Sequence, residues 1–141
     1  MKSHQKRGFH LTGFLGALFA LVVLAGCTKE LDYSQKRAVA EQFMTALAQG
    51  DQQAAYEVSQ KTPENKLAVK LMAEAIALKK QNENITEVDY VYLNENSTGE
   101  NEAKVTFSQL LDGKPVADNL IVVMRYDPAQ SHWRVHNLLL R

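Results

Sequence analysis

Apolar residues between positions 35 and 80 recur every three to four residues, and after Asn84 the period changes to two. Val39, Phe43 and Leu47, with Ala40, Met44 and Ala46 beside them, predict an amphipathic helix from Gln35 to Gln49. Gly50 is placed to end it in a left-handed cap. Asp51 can then cap a second, short helix carrying Ala54, Ala55, Tyr56 and Val58. Thr62 followed by Pro63 reads as a cap and a first helical position. The third helix is expected to run to about Lys80, burying Leu67, Leu71, Ala75 and Leu78, with Val69, Met72 and Ile76 widening the stripe.

Beyond Asn84, Val88, Tyr90 and Tyr92 alternate with Asp89 and Val91 as a strand does. A polar loop is expected from Asn94 to Asn101, then a strand with Val105 and Phe107 on one face. Asp112-Gly113 supplies a hairpin turn. Leu120 to Tyr126 is apolar on both faces, which suits a strand covered on both sides or one whose outer face meets a partner. Asp127-Pro128 turns the chain again, and Trp133, Val135 and Leu139 are the expected inward set of the last strand, with Trp133 packing against Phe43 and Leu47. Helices followed by a four-stranded antiparallel meander make an α+β order.

The amino-terminal pattern is different in kind. Lys2, Lys6 and Arg7 precede Leu11 to Leu24, a run of 14 residues without an ionisable side chain. As a helix it would extend only about 21 Å at ~1.5 Å per residue, against a hydrocarbon core of ~30 Å, so it reads as the apolar stretch of a signal peptide. Leu24-Ala25-Gly26-Cys27 follows and resembles the lipobox of bacterial lipoproteins. That resemblance implies a diacylglyceryl group on the Cys27 sulfur, cleavage between Gly26 and Cys27, and acylation of the new amino terminus. Residue 28 is threonine; by the same resemblance an aspartate there would retain the protein at the inner membrane, so the outer membrane is implied if the source has one.

Composition sharpens this picture. The chain has one cysteine, so there is no internal disulfide, and a lipidated Cys27 leaves no thiolate nucleophile or Cys-ligated zinc site. The precursor has 16 basic and 16 acidic residues; removing 1–26 takes three bases and no acid, leaving 13 against 16 and a net charge of −3. Such a surface lacks the basic stripe that nucleic acid binding needs. Residues 27–34 read as the lipidated cysteine and a short tether, and 35–141 as a single domain.

Phe43 to Asp51, the Asp112-Gly113-Lys114 hairpin and His132-Trp133-Arg134-Val135 make the mature chain resemble the cystatin-like, nuclear-transport-factor-2-like superfamily, including its small bacterial lipoproteins. The resemblance implies a curved sheet wrapped around a long helix to form a cone. Phe43, Leu47, Tyr56, Phe107, Met124 and Trp133 are the candidate lining of a pocket in such a cone. Enzymes of the superfamily place proton-transfer groups there, but no catalytic motif is present to carry over.

No catalytic, cofactor or metal residue is therefore assigned. His132 and His136, four apart on a strand, stand about 13 Å apart at ~3.3 Å per residue, too far for one ion. Met44, Met72 and Met124 fall in core periods. Tyr90, Tyr92 and Tyr126 suit half-buried strand positions, a pocket rim or a dimer surface. Asn84-Ile85-Thr86 and Asn96-Ser97-Thr98 match the glycosylation sequon, which is irrelevant to a bacterial lipoprotein. The expectation is a membrane-anchored, non-catalytic envelope protein that binds a partner protein or a small apolar ligand. The alternatives are a cone-pocket isomerase, dehydratase or hydrolase using Tyr56, Tyr126 or Asp127, and an assembly component or homodimer joined through the outer sheet face at Ile121 and Val123.

Overall fold

Both periods, helical and alternating, are realised in the computed structural model, which describes residues 30–140. The expected signal segment 1–26 and Cys27 lie outside the described residues. Helices α1 (Lys36–Ala48), α2 (Gln52–Glu57) and α3 (Pro63–Asn82) precede strands β1 (Val88–Gly99), β2 (Glu102–Leu111), β3 (Lys114–Asp127) and β4 (His132–Leu140). The strands form one antiparallel sheet in the order β1-β2-β3-β4. Asp32–Arg141 forms one compact unit.

Local chemistry sets the helix ends. Gly50 adopts a φ of +74°, which a residue without Cβ takes at no steric cost, and Asp51 accepts a hydrogen bond from the Ala54 amide at 3.0 Å. Thr62 Oγ1 accepts from the Asn65 amide at 3.2 Å ahead of Pro63, where a missing N–H costs nothing. At the β2–β3 turn Asp112 and Gly113 both have positive φ, +49° and +77°. The Asp112 carboxylate also accepts from the Thr86 and Glu87 amides at 3.0 and 2.8 Å, tying this turn to the start of β1.

The core lies between α1 and the concave face of the sheet. Val39, Ala40, Phe43, Met44 and Leu47 are buried against a set that includes Ala103, Val105, Phe107, Leu120, Val122, Met124 and Val135. Along β3, Leu120 to Met124 is buried on both faces; the outward pair Ile121 and Val123 is only 7% exposed each. In the ladder Ile121 sits between Thr106 and Leu139, and Val123 between Lys104 and Asn137.

Four expectations are corrected. Helix α3 buries Val69, Ala73 and Ile76, whereas Leu67, Leu71 and Leu78 are 56%, 54% and 56% exposed and Ala75 is exposed too. Two apolar stripes lie on opposite sides of this helix, and the fold covers the one with Val69, Ala73 and Ile76. Second, Asn94 to Gly99 is strand and not loop: β1 continues, paired with β2, into an exposed hairpin arm after a bulge between Tyr92 and Asn94. The side chains of this arm are exposed, so they leave no apolar pattern.

Third, a register shift in the β3–β4 ladder, where Val123 pairs with Asn137 but Met124 with Val135, sends the end of β4 the other way up. Leu138, opposite Val122, is half-buried, and Leu139 is exposed. Fourth, Trp133 does not enter the core. It is half-buried at the start of β4, with its ring 5.2 Å from that of Tyr126 and Lys36 Nζ 5.5 Å above it. Its amide donates to the Tyr33 carbonyl at 2.9 Å, so the chain is already docked at Tyr33, within the segment expected as tether.

Candidate functional site

The β2–β3 ladder opens next to its turn. Ser108 pairs with Asn119 and Leu110 with Pro115, which leaves Val116, Ala117 and Asp118 opposite Gln109 alone. Proline cannot donate to a ladder, and bulges of this kind bend a strand and re-aim its side chains. The splayed strands and the second half of α3 enclose a cleft of about 220 Å³. Met72, Ala75 and Ile76 of α3 form one wall; Val116 and Leu120 form the other. Polar groups are few: Tyr90 and Gln109 on neighbouring strands, with Lys79 and Asp118.

Tyr90 and Gln109 are direct cross-strand partners, and the Gln109 side-chain amide donates to the Tyr90 hydroxyl at 3.0 Å. With its oxygen already accepting, Tyr90 has its own proton free for an acceptor in the cleft. Burial pushes the Tyr90 phenol above its ordinary value near 10, outweighing the opposite effect of the Gln109 bond. The neutral phenol is the form the fold favours. Its contribution to stability is therefore complete below the ordinary tyrosine value and is lost as pH rises through the raised one. In an alkaline ultraviolet titration, the late-ionising component is expected to vanish in Tyr90→Phe; persistence of that component would assign it to another of the five tyrosines.

The residues proposed from sequence as a pocket lining are not gathered around one cavity. Phe43, Leu47, Phe107 and Met124 are packed in the core. Phe43 also borders a slot of about 20 Å³ shared with Ser59, Asn65 and Met72, room for about one water. Tyr56 is half-buried with Lys61 Nζ 4.4 Å above its ring, and Trp133 stands at the strand end already described. Tyr126 and Asp127 border a broad depression of about 570 Å³ on the outside, with Lys61, Arg125 and Arg134. Its charges have partners within the chain. Asp127 accepts from the Ala129 amide at 3.0 Å, Arg125 reaches Glu102 at 3.4 Å, Lys61 reaches Glu57 at 3.4 Å, and Arg134 donates to the Glu57 carbonyl at 3.0 Å.

His132 stacks on Tyr33 at 4.5 Å, while His136 Nδ1 lies 2.7 Å from Gln60 Oε1. Burial first, and then the nearby Arg125, push the His136 imidazole below its usual value, against the pull of Glu102. Among the described residues no three His, Cys, Asp or Glu side chains come together as a metal site. Sequence reasoning gave Tyr90, with Tyr92 and Tyr126, as suited to a half-buried strand position, a pocket rim or a dimer surface, and did not name Gln109, Asp118 or Val116. Pro115, a proline within a strand pattern, was the one local sign of the opening.

No family model and no curated protein matches the chain in sequence. Solved structures match it in shape. A five-substitution form of the chain Rd1NTF2_05 superposes with a TM-score of 0.52 at 9% identity, covering 74% of this chain and 95% of its own. An NTF2-like protein of unknown function from Cytophaga hutchinsonii gives a TM-score of 0.46 at 12% identity, covering 76% of this chain and 90% of its own. Helices set into one face of a four-stranded antiparallel sheet thus form an α+β cone of the nuclear-transport-factor-2-like fold.

Proposed function

We propose that the chain is a lipid-anchored protein of the bacterial envelope whose folded unit binds a small, largely apolar ligand in the cleft between α3 and the sheet, without turnover of its own. The cleft carries this reading: its walls are aliphatic, its Tyr90–Gln109 pair offers a phenol proton, and its volume is about 220 Å³. A ring-sized compound with one acceptor oxygen fits those terms. The lipobox resemblance at Leu24 to Cys27 supports the anchor, and Thr28 supports the outer membrane of a diderm source.

Asp118 and Tyr90 line the same cleft, and this favours proton transfer as a second reading. Ligand-observed NMR with a set of small ring compounds separates the two. Compounds that bind the wild type are expected to lose at least about tenfold in affinity when Val116→Trp fills the cleft. Tyr90→Phe is expected to weaken those with an acceptor oxygen about fivefold, the effect of one hydrogen bond near 1 kcal/mol. Equal binding by Val116→Trp would remove the cleft as the site. Conversion of a bound compound that stops in Asp118→Asn would establish the enzyme instead.

A further inference from the structure

The outward face of α3 presents Leu67, Leu71 and Leu78, each more than half exposed. At ~100° per residue these three fall within about 40° of arc and stand opposite Val69, Ala73 and Ile76. The helix thus buries one apolar stripe and displays another. It also carries Lys66, Lys70, Lys79 and Lys80 against Glu64 and Glu74, a net of +2, although the chain beyond residue 26 has a net of −3. By the same helical arithmetic Glu74 and Glu64 stand about 20° outside the leucines on either side, and beyond them come Lys70 and Lys66 on the first side and Lys79 on the second. The lysine stems can lie along apolar surface while the ammonium groups reach outward. Glu74 has Lys70 Nζ 4.0 Å away.

Chain connectivity sets where this face can go. Only residues 28–31 separate Cys27 from the unit that begins at Asp32, a reach of about 14 Å at ~3.3 to 3.6 Å per residue. The Tyr33 carbonyl accepts from the Trp133 amide at 2.9 Å, and two residues along β4 the Val135 carbonyl accepts from Asn65, in the first turn of α3, at 3.4 Å. Chain entry and the start of α3 therefore share one stretch of β4, about 7 Å apart at ~3.3 Å per residue.

We infer that the outward face of α3 lies on the anionic lipid surface of the leaflet holding the acylated Cys27, leucines at the headgroup–acyl boundary and lysines at the phosphates. The inference rests on the lipid-anchor reading. Among the described residues no helix is long and apolar enough to cross a membrane, and α3 is assigned to lie along the interface.

The test uses the full-length protein purified from membranes and reconstituted into vesicles of brominated phosphatidylcholine, with or without brominated phosphatidylglycerol. Trp133 is the only tryptophan, so Trp133→Phe gives a dark background in which Leu71→Trp reports the α3 face and Val91→Trp the exposed outer face of β1. Circular dichroism checks that each variant is folded. Fluorescence at position 71 is expected to be blue-shifted and quenched at least about twofold more than at position 91, more strongly with phosphatidylglycerol, and Lys66→Glu with Lys70→Glu is expected to abolish that lipid preference.

Equal quenching at the two positions, or none at 71, overturns the inference whatever the state of Cys27. A shift at 71 that follows protein concentration and not lipid overturns it in favour of a helix-to-helix dimer. Mass spectrometry of the same sample reads the anchor separately: quenching at 71 with an unmodified Cys27 supports the lipid-facing helix and removes the anchor, whereas a lipidated Cys27 without quenching removes the helix contact alone.

Discussion

Phe107→Ala is expected to cost about 3 to 5 kcal/mol, the usual range for truncating a buried aromatic, out of the ~5 to 15 kcal/mol that holds a domain of this size together. Phe107 is 1% exposed, lies opposite Tyr92 and Leu120 in the two adjoining ladders, and meets the Tyr92 ring edge-on at 6.3 Å and 81°. The truncation leaves a cavity in a core held by the sheet on one side and α1 on the other. A fall in melting temperature of at least about 10 °C should follow. Trp133→Ala is the useful comparison: half-buried and held by Tyr126 and Lys36, it is expected to lose less than Phe107→Ala. A Phe107→Ala variant melting within a few degrees of wild type, or below Trp133→Ala, would mean that the inward face of β2 has been assigned incorrectly.

Cys27→Ser is expected to abolish lipidation and cleavage while leaving the folded unit intact. Under the proposed lipid anchor the sulfur is the atom to be alkylated, and a serine oxygen is a far poorer nucleophile at neutral pH. Residue 27 precedes the folded unit, whose first docking contact is Tyr33 on Trp133, so unfolding of the purified variant should match wild type. Detergent phase partitioning and intact mass supply the check. A mass and a partition identical to those of the wild type would remove the lipoprotein assignment and its short tether, leaving the lipid contact of α3 to the quenching experiment alone.

Local signals were sufficient wherever a residue acts on its own backbone or on neighbours within a turn or two. Gly50, Asp51, Thr62-Pro63 and Asp112-Gly113 could be placed because a positive φ, a capping oxygen or a missing N–H acts within four residues. The change of period after Asn84, and the helical stripe of α1 with Val39, Phe43 and Leu47 inward, were equally legible, and together they determined an α+β order with a meander. Which stripe of α3 faces inward was not. Leu67-Leu71-Leu78 and Val69-Ala73-Ile76 both have helical spacing, and only what the rest of the fold places against the helix selects the second. The same limit applies to registers: the shift near Met124 that exchanges Leu138 for Leu139, and the Gln109 bulge that opens the cleft, depend on how strands meet across the sheet. Side-chain alternation along one strand carries no record of that meeting, so tertiary structure alone brought Tyr90, Gln109 and Asp118 to one cleft and left three leucines of α3 on the outside.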